Sequence, residues 1–139
     1  MKQVSGSKIR AEEILNTRKR FALIGATQDM LKYSYELLFT LLDAGYKVYP
    51  INPKYDKIEN EICYDSLAGL PERPDVVIVV LSPQNVERML DEIHNYRPAI
   101  VWLPPGSWSD EAVRKATAAG IEVVYDVCPI GTLKGMREH

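Results

Sequence analysis

The sequence predicts an α/β domain: a doubly wound, five-stranded parallel sheet with helices on both faces. Three observations carry that expectation. Short apolar, β-branched runs recur at residues 20–24, 47–51, 76–81, 99–103 and 122–125. The runs are continuous rather than alternating, as in strands covered on both faces. Most of the stretches between them place apolar residues at helical spacing, and parallel neighbours need such right-handed crossovers.

Taken in order, a leading helix is expected over residues 8–16, with Ser7 as its cap and Ile9, Ile14 and Leu15 to bury. After the first strand and an eight-residue loop, Leu37, Leu38, Leu41 and Leu42 mark a helix over 33–44 that stops at Gly45. The second strand ends at Asn52-Pro53. The next connection, 54–74, is longer and more polar, and only 65–70 looks helical within it. A loop of that size over a sheet's carboxyl edge often forms part of a ligand wall. Ser82 caps a helix over 83–95, with Pro83 in its first turn and Val86, Met89, Leu90 and Ile93 facing inward. Ser109 caps another over 110–119, ended by Gly120. No repeat, low-complexity tract or linker interrupts the chain, so residues 1–139 are expected to form one domain with its core at about 8–130.

Composition narrows the function. Hydrophobic residues make up 46% and charged residues 26%, an ordinary globular balance. A net charge of −2 gives no basic stripe for nucleic acid. No apolar run approaches the roughly eighteen residues of a membrane helix, and the start lacks the apolar core of a signal peptide. Cys63 and Cys128 make no disulfide framework, and His94 and His139 add too little for a metal site. A reduced, cytoplasmic protein is expected.

In a doubly wound sheet the ligand lies outside the carboxyl ends of the strands. The loop after the first strand opens with Gly25-Ala26-Thr27 and reaches Lys32-Tyr33-Ser34 at the helix start. A glycine-led strand exit feeding a helix offers backbone N–H groups to an anion, with Thr27 as a hydroxyl donor and Lys32 as counter-charge. The dinucleotide fingerprint needs two more glycines, and an acid where this chain has Asn52. Asn52-Pro53 suits either an adenine or ribose edge or a plain strand-ending turn, and Lys54 is a candidate for a further phosphate or a solvated cation. Asn52 is expected to face the Gly25 loop across the point where the strand order reverses. Ser82-Pro83, Gly106 and Cys128 follow the remaining strands at the same edge. No histidine stands where it would activate Cys128, and no nucleophile elbow, P-loop or metal spacing is present.

Together these pieces resemble the small stand-alone CoA-binding domain family, relatives of the CoA-binding part of succinyl-CoA synthetase. The likeness runs through 22–27, 32–34, 45–55, 63–67, Val101-Trp102-Leu103 with Gly106, and 119–129. It implies a Rossmann-like sheet that binds coenzyme A or an acyl-CoA. Gly25, Ala26, Thr27, Lys32, Tyr33 and Ser34 would take the pyrophosphate. Asn52, Pro53 and Lys54 would border the adenosine end, and Ser82 and Pro83 the adenine or pantetheine. A 3′-phosphate on the ribose also accounts for the missing acid, which would repel it. Two positions depart from the family: Pro104-Pro105 replaces a usual glutamine, and Val127 a usual arginine.

The expectation is therefore binding of a small nucleotide ligand without catalysis, and without nucleic acid or membrane. The alternatives are an NAD(P)-binding redox-sensing module, a thioester or disulfide enzyme using Cys128, and a site lost in favour of a protein partner or homo-oligomer.

Overall fold

The structure, a computed structural model, describes residues 8–137. Helix α1 (Lys8–Thr17) precedes β1 (Arg20–Ile24), and α2 (Tyr33–Asp43) leads into β2 (Lys47–Ile51). A short hairpin, β3 (Lys57–Ile58) and β4 (Glu61–Ile62), and a 3-10 turn at Leu67–Gly69 come before β5 (Val76–Val79). Then follow α3 (Pro83–Tyr96), β6 (Ile100–Leu103), α4 (Asp110–Ala118), β7 (Glu122–Tyr125) and α5 (Pro129–Arg137).

The five long strands pair in parallel in the order β2-β1-β5-β6-β7. The chain begins at β1, steps outward to β2, and then crosses to the other side of β1. The winding therefore reverses between β1 and β5, and the crevice at their carboxyl ends is where ligands of such sheets lie.

Strand side chains alternate between two cores. Phe21 and Leu23 join Trp102 and Ile78 beneath α1, α2 and α5. Ala22 and Ile24 join Val77, Val79 and Val101 beneath α3 and α4. Both faces being covered explains why, past the first residues Arg20, Lys47 and Glu122, the strands show no polar alternation. Each fully buried large side chain contributes about 1.5–3 kcal/mol. None of the described helices is long and apolar enough to cross a membrane.

The expected strands and helices are present, with ends shifted by up to two residues. Ser82 and Ser109 cap as expected, accepting from Asn85 N at 3.3 Å and Ala112 N at 3.1 Å. The expected Ser7 cap lies outside the described residues. Three features differ from expectation. The polar connection contains the β3–β4 hairpin, closed through Glu59 at a φ of 52°. The helix expected over 65–70 is a single 3-10 turn. Helix α5 also forms where no helix was expected, burying Ile130 and Leu133.

Candidate functional site

The carboxyl ends of β1, β2 and β5 surround a cavity of about 490 Å³. Its wall is Gly25, Ala26, Thr27, Asp29, Lys32, Tyr33, Ser34, Asn52, Lys54, Tyr55, Val80 and Leu81. A cavity of about 520 Å³ lies elsewhere, at Leu67, Ala68, Glu92, Asn95 and Tyr96. It lacks any cation and sits away from the strand ends.

Gly25 is fixed by backbone crowding. Its φ is +93°, and a β-carbon there would stand 2.1 Å from the Val80 carbonyl oxygen. The N–H groups of Gly25 and Ala26 both donate to the Ile51 carbonyl, at 3.1 and 3.3 Å. The glycine therefore lets β1 leave beside β5, while those two amides stitch β1 to β2.

Beyond Ala26 the loop caps itself. Asp29 N–H donates to Thr27 Oγ1 at 3.1 Å, Leu31 N–H to Asp29 Oδ1 at 3.0 Å, and Lys32 N–H to the Asp29 carbonyl at 3.1 Å. Gln28 Nε2 reaches the Lys57 carbonyl at 2.8 Å, tying the loop to the hairpin. Lys32 then takes the N-cap position of α2 in extended geometry, with no side-chain cap. The first N–H groups of a helix have no intrahelical acceptor, so the start of α2 presents donors and a positive dipole end to this cavity.

Three side chains add to that field. Neither Lys32 nor Lys54 makes an ion pair with a described carboxylate. Ser34 is 5% exposed and lines the cavity. Asp29 is the one acid in the wall.

Asn52 directly follows β2, beside β1; Val80 and Leu81, following β5, are what face the Gly25 loop across the reversal of strand order. Both arms of the Asn52 amide are engaged, Nδ2 donating to the Ala26 carbonyl at 2.8 Å and Oδ1 accepting from Lys54 N at 2.9 Å. The turn reading fits this geometry.

Pro53, Ser82, Pro83, Gly106 and Cys128 are not in the wall. Ser82 is committed to capping α3. Cys128 is one contact away, its Sγ 3.1 Å from the Tyr33 hydroxyl. Burial, reinforced by that contact, holds the Tyr33 phenol well above its usual range. Cys128 also opens α5: Gly131 N–H donates to its Sγ at 3.3 Å and Thr132 N–H to its carbonyl at 2.9 Å. Trp102, fully buried, donates from Nε1 to the Val127 carbonyl at 2.9 Å and fixes the loop just ahead of Cys128. Trp108 packs on Tyr125, ring centroids 5.0 Å apart.

Sequence reasoning missed Tyr55, Val80 and Leu81 as wall residues. Val80 and Leu81 read as the end of an apolar strand, and only the early finish of β5 turns them toward the crevice. Among the described residues, no group of three or more His, Cys, Asp or Glu is placed to hold a metal.

A doubly wound parallel sheet with its cavity at the strand reversal defines an α/β protein of the Rossmann-like class. Within that class the chain belongs to the CoA-binding domain family, whose model matches residues 19–133. It is 26% identical over 122 residues to the uncharacterized protein YneT of Bacillus subtilis, covering 88% of this chain and 90% of that one. A stretch of 74 residues is 36% identical to an ADP-forming acetate–CoA ligase of Methanocaldococcus jannaschii, covering 53% of this chain but 10% of the ligase. The solved structure of a hypothetical protein from Pyrococcus horikoshii OT3 superposes with a TM-score of 0.87 at 26% identity, covering 99% of both chains.

Proposed function

We propose that this protein binds coenzyme A or an acyl-CoA in the cavity at β1, β2 and β5 and holds it without transforming it. One observation carries the reading: the uncapped start of α2, two unpaired lysines and Ser34 converge on one cavity. That set suits the phosphates of a nucleotide, which take hydrogen bonds and positive charge together. Membership of the CoA-binding family supports coenzyme A as the nucleotide.

In this reading Thr27, Lys32 and Ser34 take the pyrophosphate, with Tyr33 as the wall beneath it. Lys54 lies nearest the 3′-phosphate. Gly25 and Ala26 contribute by shaping the loop, because their own N–H groups are given to Ile51. The wall holds one acid and no histidine, and this reading assigns its two lysines to the phosphates rather than to proton transfer.

Thermal unfolding with a panel of nucleotides tests the reading. Coenzyme A at about a hundred times its Kd stabilises the fold by about 2.7 kcal/mol. A shift with NADH or NADPH and none with coenzyme A overturns it.

A further inference from the structure

We propose that Asn52 is a positioning residue, fixing the phosphate loop through the Ala26 carbonyl without touching the ligand. The inference rests on the coenzyme A reading for what is positioned, though not for the clamp itself.

The orientation of the Asn52 amide is set by its neighbours. Ala26 O can only accept and Lys54 N–H can only donate, so Nδ2 must face Ala26 and Oδ1 must face Lys54. The main chain at Asn52 is held as firmly. Its N–H donates to the Tyr64 carbonyl at 2.9 Å, and its carbonyl accepts from Tyr55 N at 3.2 Å. The residue thus has a fixed base and one arm extended to the neighbouring loop. Pinning the Ala26 carbonyl also pins the Thr27 N–H, because the two share one rigid peptide plane. Thr27 lines the cavity, and Ala26 is the last loop residue whose amide is bonded to β2. Without the arm, the chain from Ala26 to the start of α2 loses its side-chain link to β2.

Asn52→Asp separates the two arms. The carboxylate still accepts from Lys54 N–H, keeping the turn, but at neutral pH it has no proton for Ala26. Protonating it restores a donor. Coenzyme A affinity is expected to fall about tenfold at neutral pH, and the deficit relative to wild type to shrink as the pH approaches about 4. Asn52→Ala, which carries no charge, should weaken coenzyme A and inorganic pyrophosphate by the same factor. Loss of coenzyme A affinity with pyrophosphate binding untouched would show that Asn52 contacts the nucleoside, and overturns the proposal. So does an Asp deficit that does not change with pH. Amide exchange in the unliganded protein decides the clamp even if wild type fails to bind coenzyme A. Faster exchange at Ala26 and Asp29, whose N–H groups are hydrogen-bonded in the wild type, upholds it in both variants, and unchanged rates overturn it.

Discussion

Gly25 and Val80 meet backbone to backbone where β1 and β5 leave the sheet, with no room between them for a β-carbon. Val80 N–H donates to the Ile24 carbonyl at 2.9 Å, which holds the Val80 main chain beside the end of β1. Gly25→Ala should destabilise the fold by more than about 2 kcal/mol, combining a positive φ with an overlap that only a shift of the Val80 carbonyl or of the strand ends relieves. Chemical denaturation measures it; a loss below about 0.5 kcal/mol would show that the Val80 carbonyl and the strand ends give way freely.

Lys32 and Asp29 share one wall and should act on a phosphate ligand with opposite sign. Lys32→Ala removes a cation beside the start of α2, and coenzyme A affinity is expected to fall tenfold or more, in line with about 1.5–3 kcal/mol for a charged hydrogen bond. Asp29→Asn keeps an oxygen for Leu31 N–H while removing the negative charge. Its affinity should rise several-fold at low salt and approach wild type at high salt. Titration calorimetry at two ionic strengths reads both; weaker binding by Asp29→Asn would refute the shared-field picture.

Cys128 holds the start of α5 through sulfur, a weak acceptor. Cys128→Ala should cost about 0.5–1 kcal/mol as a lost cap, whereas Cys128→Ser, with a stronger acceptor, should keep wild-type stability. Equal losses in the two variants would assign the stability to the Tyr33 contact instead.

His94 links stability to pH. Its Nε2 is buried with no partner among the described residues. Burial pulls its pKa below the usual value; Asp91 opposes the change and Lys115 adds to it. The unfolded chain then gains a proton near pH 6.5 that the folded protein accepts only at lower pH. Stability is full above about pH 6.5 and declines as the pH falls from there through the folded-state value. His94→Gln should flatten that part of the curve. Denaturant midpoints between about pH 7.5 and 5 test this, and parallel curves for the two proteins would rule His94 out.

The sheet was legible because its strands are buried on both faces, so Val76 and Val77 are equally apolar although they point opposite ways. The β3–β4 hairpin gave no such signal. It has two residues per strand, only Ile58 is buried, and its turn uses Glu59 rather than glycine. Helix α5 was hidden by Gly131 and Gly135, both poor helix formers. It is held by docking Ile130 and Leu133 against the core, which no local pattern announces. At the site, the loops were legible from the rule that ligands lie at strand ends. Which atoms remain available was not. The Gly25 and Ala26 amides and both Asn52 arms are consumed by contacts between loops that are distant in sequence.

Pro50 lies within β2, an outer strand of the sheet. Its carbonyl points away from β1 and accepts Tyr64 N–H at 2.9 Å, and Tyr64 returns its own carbonyl to Asn52 N–H. The side of the residue that would carry the missing N–H therefore also faces outward, where no ladder bond is lost. Val48, two residues back, shares that outward register, and it alone in β2 can offer an intruding strand both a donor and an acceptor. At the opposite edge, Glu122 of β7 is gripped by Arg10 through two hydrogen bonds, at 2.5 and 2.8 Å. The β2 margin thus leaves one residue, Val48, able to pair fully with a further strand, a short template for fibril-like stacking.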